Sequence, residues 1–312
     1  MRPASWSGVH VALTTPFDAE LRVDLAALAA RTAWLLERGI DGVIVAGSLG
    51  EGSVLERRER ASMIAALAPL VPDGVGLTAA IGAASTVAAV ELARDAERSG
   101  ARGLLVLPPY VYAGDAPEVR EHVVDVLRAT ALPALLYNNP SAYGVDIPPE
   151  EVLEIAERCP ALTGVKESSG DVRRITAIRA LLGDRLEVAV GLDDALLEGI
   201  DAGATGWVAG LANALPDESI ALYRSARAGD RPRARALYDW FLPLLRLDTR
   251  PKFVQLIKLV ESEVGRGSTR VRPPRRELSE AERNEALAMI RERLAVRPRL
   301  DPSGDGSAAT AR

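Results

Sequence analysis

Cysteine, histidine and lysine are all scarce in this 312-residue chain, and each shortage removes a class of chemistry. A single cysteine, Cys159, excludes an internal disulfide and a cysteine-built zinc cage, and makes a reducing, cytoplasmic compartment the default expectation. With two histidines, His10 and His122, neither a Ser-His-Asp triad nor a histidine metal site is easily assembled. His122 stands in a helical pattern among Glu121, Val123 and Asp125 and is expected on an exposed face, whereas His10 opens a buried strand and reads as structural. No apolar run reaches the ~20 residues that a membrane-spanning helix requires. Residues 1–11 lack a charged segment followed by a hydrophobic core, so the expectation is a soluble chain without an export signal. Clustered positive surface is missing too: the formal charge is -5 with both signs spread along the chain, which argues against a nucleic-acid partner. The one basic cluster, residues 266–276, is expected to be a solvated connection.

What the chain has in quantity is apolar sequence, 48% of it, arranged in short runs that alternate with amphipathic stretches of helical length. The runs are residues 9–15, 42–47, 75–82, 103–109, 134–138, 163–168, 187–191 and 204–210. Helical segments lie between them near 24–38, 55–70, 86–99, 117–130, 149–158, 172–182 and 194–201, and an eighth starts at Pro216. Strands that read as almost continuously apolar imply a parallel sheet buried on both faces. Eight of them with helical crossovers predict closure into an α/β (β/α)8 TIM barrel. An open doubly wound sheet is the competing architecture, and against it no G-x-G-x-x-G follows the first strand. From Arg231 onward helices alone are expected, near 231–247, 251–264 and 279–294. The expected organisation is a barrel over 1–228, a C-terminal helical extension over 229–297, and a disordered tail over 298–312.

Barrel enzymes carry their reactive groups at the carboxyl ends of the strands. Polar residues there are Thr14, Thr15, Ser48, Glu51, Tyr110, Tyr112, Tyr137, Asn138, Asn139, Lys166, Glu167, Ser168, Asp193 and Asp194. Lys166 is the most informative, because the chain holds three lysines and otherwise uses arginine for positive charge. Arginine keeps its proton in a protein, whereas a desolvated lysine can become the neutral amine that imine formation needs. The competing reading is a structural lysine paired with a carboxylate. Tyr137, ending the neighbouring strand, carries a phenol able to relay protons, or else simply caps the barrel core. The turn Gly47-Ser-Leu-Gly-Glu-Gly52 offers backbone donors, a hydroxyl and a carboxylate at the mouth, although a glycine-rich turn there also has a purely conformational explanation. Asp193 and Asp194 open a helix, where N-capping explains at least one of them.

With those residues in place, the chain resembles the dihydrodipicolinate synthase and N-acetylneuraminate lyase family over about Gly8 to Leu294. The marks are Thr14-Thr-Pro-Phe17, Gly47-Ser-Leu-Gly-Glu51, Tyr137-Asn-Asn-Pro140, Gly164-Val-Lys-Glu-Ser-Ser-Gly-Asp171 and Gly203-Ala-Thr-Gly206. The resemblance implies that Lys166 is the Schiff-base lysine and Tyr137 the proton-relay tyrosine, with Ser48 at the place of the first threonine of the family's Gly-Thr-Thr-Gly-Glu turn. It also implies that Gly47, Leu49, Gly191 and Val208 contact the substrate, and that the chain forms a homotetramer with Tyr110 or Tyr112 near a subunit boundary. Two departures stand out. Ala142 follows Pro140-Ser141 where the synthases place a carboxylate-binding arginine, and Tyr110-Val111-Tyr112 replaces their tyrosine pair. One subfamily, the 1-pyrroline-4-hydroxy-2-carboxylate deaminases, resembles the chain more fully, through Gly191-Leu-Asp-Asp194, Gly206-Trp-Val208 and the run from Tyr238 to Pro251. The expected chemistry is then transimination by Lys166, loss of the 4-hydroxyl assisted by Tyr137 and Ser48, and release of ammonia and 2,5-dioxopentanoate, without metal, flavin or nicotinamide. The alternatives are an aldolase or dehydratase on a sugar-derived 2-oxo acid, dihydrodipicolinate synthase itself, or a barrel that only binds a 2-oxo acid. Pyridoxal phosphate enzymes also use a barrel lysine, but no phosphate-binding turn after the seventh or eighth strand demands that cofactor.

Overall fold

The computed structural model describes residues 5–300. Eight parallel strands pair in chain order and close into a barrel: β1 Gly8–Ala12, β2 Gly42–Val45, β3 Gly76–Ile81, β4 Gly103–Val106, β5 Ala134–Asn138, β6 Leu162–Glu167, β7 Glu187–Val190 and β8 Gly206–Ala209. Closure is made by β8 against β1, with Gly8 opposite Gly206 and Val11 opposite Ala209. The crossover helices are α1 Leu25–Glu37, α2 Arg57–Leu67, α3 Thr86–Arg98, α4 Ala116–Leu127, the short α5 Pro140–Tyr143, α6 Pro149–Arg158, α7 Arg173–Leu182, α8 Leu196–Asp201 and α9 Pro216–Arg227. Three more, α10 Arg231–Leu245, α11 Phe253–Glu263 and α12 Glu280–Ala295, form the C-terminal extension. The expected tail, 298–312, falls largely on residues 301–312, outside the described ones.

The strands are buried on both faces, which is why they read as unbroken apolar runs. Their outward side chains meet the helices in the main core, while Ile44, Ala80, Leu105, Leu107, Leu135, Tyr137, Ala189 and Val208 fill the barrel interior around Trp6. Trp6 plugs the floor. A Cβ at Gly103 would lie 2.6 Å from its Cη2 and one at Gly164 would lie 2.8 Å from its Cδ1, so these two strands accept the indole only because they carry glycine there. Side-chain caps fix several helix starts: Asp24 accepts from Ala27 N at 2.9 Å, and Asp115 with Glu118 and Ser279 with Glu282 form reciprocal capping boxes.

Four expectations are corrected. The first strand ends at Ala12, so Thr14 and Thr15 lie beyond it, in the turn over the barrel mouth. His122 is buried rather than exposed. It lies on the face of α4 that also carries Val119, Val123 and Val126, and its Nδ1 sits 2.9 Å from Thr86 Oγ1. Residues 266–276 are not a free connection: Arg272 pairs with Glu59 at 2.7 Å, donates to Leu21 O at 2.7 Å, and stacks over Phe17. Glu51 does not present its carboxylate at the mouth. Its left-handed backbone, φ 56, turns the side chain inward to Lys258 Nζ at 2.6 Å, while Arg272 N donates to its other oxygen at 3.0 Å.

Lys258 and Glu261 lie three residues apart on one face of α11, and both are fully buried. Glu261 accepts from Thr14 Oγ1 at 2.7 Å and pairs with Arg31 at 2.9 Å. Burial lowers the Lys258 pKa and raises that of Glu261, with their partners opposing both shifts. The extension is thus fastened to α1 and to the turn after β2 by two desolvated charge pairs, and losing one partner of such a pair typically costs about 3–5 kcal/mol. Lys258→Met keeps the aliphatic stem and deletes the charge, so it should lower unfolding stability by about that amount, read as a drop in urea midpoint. An unchanged midpoint would show that the pair does not hold the extension in place.

Candidate active site

At the carboxyl ends of the strands lies a cavity of about 650 Å³. All seven residues expected to act on or contact a substrate line it: Lys166, Tyr137, Ser48, Gly47, Leu49, Gly191 and Val208. A surface groove of similar volume, walled by Arg57, Asp95 and Arg98, is shallow, and its charged groups are already paired with one another.

Tyr137 on β5 and Lys166 on β6 are register neighbours, so both side chains point into the barrel. Lys166 Nζ sits 4.1 Å from the Tyr137 ring centroid, over its π face. Space for the lysine comes from the next strand end. A Cβ at Gly191 would fall 2.6 Å from Lys166 Cε and 1.9 Å from Ser168 Oγ. Of the three lysines, Lys252 pairs with Glu282 and Lys258 with Glu51, whereas Lys166 has no ion-pair partner among the described residues. The competing reading of a lysine held by a structural carboxylate therefore finds no support in the geometry.

Alternation along the strands sorts the remaining polar residues. Asn138 and Glu167 face outward: Asn138 Nδ2 donates to Glu167 Oε2 at 3.1 Å, and Ile147 N donates to Asn138 Oδ1 at 3.0 Å, bracing the loop after β5. Burial raises the Glu167 pKa. Asn139 turns back to the cavity, where its Nδ2 donates to the Tyr137 hydroxyl at 3.0 Å while its Oδ1 caps α5. Asp193 is not a cap for its own helix. Its carboxylate is buried and accepts Trp207 Nε1 at 3.0 Å, Gly210 N at 3.0 Å and Leu211 N at 2.8 Å, tying the segments after β7 and β8 together.

Two side chains at this site were not singled out from the sequence. Tyr143 closes α5, hydrogen-bonds to Ser48 Oγ, stacks on Tyr110 with ring centroids 5.7 Å apart, and meets Tyr137 edge-on at 5.7 Å. Burial, reinforced by the neighbouring phenols, pushes the Tyr143 pKa well above the usual tyrosine range, and Tyr110 is raised by burial as well. A signal for it existed, since Asn139-Pro140 followed by Gly144 is the capped start and left-handed stop of one helical turn. Asp248 lies in the 3-10 turn Arg246–Thr249 of the extension and lines the cavity, a contact that no local pattern encodes. The result is an amine without an ion-pair partner beside a phenol, backed by a hydroxyl pair, in an otherwise largely apolar pocket. That arrangement suits imine formation followed by proton transfer at adjacent carbons. Among the described residues, no three His, Cys, Asp or Glu side chains group as metal ligands would, and no helix is long and apolar enough to cross a membrane.

Residues 5–293 match the family model described as the dihydrodipicolinate synthetase family. A protein of Methylobacterium radiotolerans named as a probable 5-dehydro-4-deoxyglucarate dehydratase is 35% identical over 92% of this chain and 95% of its own length. The 4-hydroxy-tetrahydrodipicolinate synthase of Methanoculleus marisnigri is 33% identical over 88% of this chain and 95% of its own. Among solved structures, dihydrodipicolinate synthase from Aquifex aeolicus superposes with a TM-score of 0.87 at 28% identity, covering 92% of this chain and 97% of that one.

The steric role of Gly191 is directly testable. Gly191→Ala should push Lys166 out of line, so that borohydride trapping of pyruvate on Lys166 falls by an order of magnitude or more while the melting temperature changes little. Trapping at the wild-type rate would show that the lysine does not depend on this gap.

Proposed function

The chain belongs to the dihydrodipicolinate synthetase family, whose members are Schiff-base-forming lyases, and from that premise we propose that it is a dehydrating lyase in which Lys166 forms an imine at C2 of a short 2-oxo acid or its cyclic imine. The single observation that carries this reading is the Lys166 amine, without an ion-pair partner among the described residues and 4.1 Å from the Tyr137 ring centroid, in a cavity at the carboxyl ends of the strands.

The steps follow from the groups present. The neutral amine attacks C2, and water leaves from a ketone, or the ring nitrogen leaves from a cyclic imine. The new C2 imine is an electron sink that acidifies C3. Tyr137, whose oxygen is oriented by the Asn139 amide, takes the C3 proton, and the pair Ser48–Tyr143 provides hydroxyl protons for a departing 4-hydroxyl. For the cyclic imine, tautomerisation of the resulting C3–C4 double bond gives an imine at C5, whose hydrolysis by water breaks the C5–N bond and releases ammonia, and hydrolysis at C2 returns Lys166. Backbone N–H groups of the Gly47–Leu49 turn are the proposed holders of the C1 carboxylate.

For the substrate we favour 1-pyrroline-4-hydroxy-2-carboxylate, deaminated to 2,5-dioxopentanoate and ammonia. Ala142 lines the mouth without a guanidinium, and besides Lys166 the one cation lining the cavity is Arg250, at its exposed rim. A second reading, supported by the names of several relatives, is dehydration of 5-dehydro-4-deoxyglucarate, which would yield the same 2,5-dioxopentanoate with carbon dioxide instead of ammonia. Assembly into four copies belongs to the same proposal and is read by light scattering.

Assayed with both substrates, the protein should release ammonia and 2,5-dioxopentanoate in equal amounts from the hydroxypyrroline. Carbon dioxide from the glucarate derivative without any ammonia would overturn the deaminase assignment. Lys166→Arg should be inactive on either substrate because arginine supplies no neutral amine. Tyr137→Phe should lower turnover by roughly 10²–10⁴-fold while adduct formation at Lys166 suffers less. Wild-type turnover in Tyr137→Phe would reduce that residue to packing.

A further inference from the structure

The cavity wall holds one carboxylate that the proposed chemistry does not use. Asp248 reaches the space from the C-terminal extension, through a gap left by Gly210, where a Cβ would lie 2.9 Å from Asp248 Oδ1 and 3.4 Å from Asp193 Oδ2. The Asp193 carboxylate is spoken for by the indole and two backbone N–H groups, so it has little capacity for a ligand. Asp248 is different. The Asp193 backbone N–H and the Lys166 charge both favour its ionised form, and no ion pair is made by it among the described residues. The charged groups acting on it are Lys166 from β6 and Asp193 and Asp194 from the segment after β7. Beside Lys166, the Ser168 hydroxyl, 2% exposed, also lines this space and has no hydrogen-bond partner. An amine and a carboxylate thus face one unfilled volume, with an unsatisfied hydroxyl buried beside the amine.

We propose that Asp248 is the substrate-facing carboxylate that receives the amino end of the substrate, so that the site selects 2-oxo acids carrying nitrogen at C5 over dicarboxylic ones. The inference rests on the reading of Lys166 as the imine-forming residue. In transimination the bond from Lys166 nitrogen to C2 forms, the bond from C2 to the ring nitrogen breaks, and that nitrogen departs with its electron pair. Both protons of the lysine amine end on the departing nitrogen, which becomes a primary amine, and a third proton taken from water at neutral pH makes it an alkylammonium. Asp248 is suited to carry one of them between the two nitrogens and then to pair with the alkylammonium that results. Burial, eased by Lys166, pushes its pKa up to about 6, which leaves it charged at neutral pH, where an alkylammonium is still protonated. Charge-assisted ammonium–carboxylate bonds are among the stronger polar contacts, and a second substrate carboxylate placed there would meet like charge.

The test uses the wild-type protein and Asp248→Asn, with pyruvate, 1-pyrroline-2-carboxylate and 2-oxoglutarate as probes, trapped by cyanoborohydride and read as adduct mass on the Lys166 peptide. The wild type should capture the pyrroline in clear preference to 2-oxoglutarate. In Asp248→Asn the ratio of the two adducts should fall at least tenfold, normalised to pyruvate adduct in the same preparation. A wild type that prefers 2-oxoglutarate, as it would if Arg250 set the selectivity, overturns the proposal even if the variant fails to fold. An unchanged ratio in a folded variant also overturns it. Absence of any pyruvate adduct in the wild type is the separate outcome that removes the imine reading beneath it.

Discussion

The buried ion pair between Glu51 and Lys258 joins the barrel and its helical extension into one cavity. Two charges taken out of water are costly to bury, and they are tolerated here because each is over-supplied with partners. Lys258 donates to Glu51 and to Arg270 O at 2.6 Å, and Glu51 also accepts Arg272 N. The pair fixes the turn after β2 from below, with Glu51 in a left-handed conformation that sends its side chain down while Ser48 stays at the cavity wall. It fixes α11 as well, and the chain just before α11 is the segment that brings Asp248 to the same wall. The arginine strap over 266–276 and the Arg31–Glu261 pair extend this anchorage around the mouth.

Within that frame, the site is shaped as much by missing side chains as by present ones. Gly191 leaves the volume that Lys166 and Ser168 occupy, and Gly210 leaves the volume through which Asp248 approaches. Ala142 puts only a methyl group at the mouth, leaving Arg250 at the exposed rim as the one guanidinium lining the cavity. Among the described residues Lys166 stands in this space without the carboxylate that satisfies each of the other two lysines, so its bonding capacity is left for a ligand.

Strand order and helix positions were legible in the sequence because parallel strands buried on both faces leave contiguous apolar runs, as at 134–138, where the run and β5 coincide. Lys166 and Tyr137 were legible because a lysine in an arginine-rich chain and a tyrosine at a strand end are local anomalies. Contacts made across long sequence separation were not. Glu51 reads as a mouth carboxylate until its partner 207 residues away is seen. His122 reads as solvent-facing because its flanking charges hide the spacing to Val119 and Val126. Tyr143 and Asp248 enter the cavity through a one-turn helix and a 3-10 turn, elements too short to leave a periodic trace.

The account stands on a covalent bond between Lys166 and C2 of a 2-oxo acid, and the most direct test is a crystal structure of the protein soaked with pyruvate. The account predicts continuous density from Lys166 Nζ to C2, with the pyruvate carboxylate against the Gly47–Leu49 turn and the methyl group toward Tyr137. Pyruvate lying free in the cavity, or bonded to Lys252 or Lys258 while Lys166 remains unmodified, would contradict it.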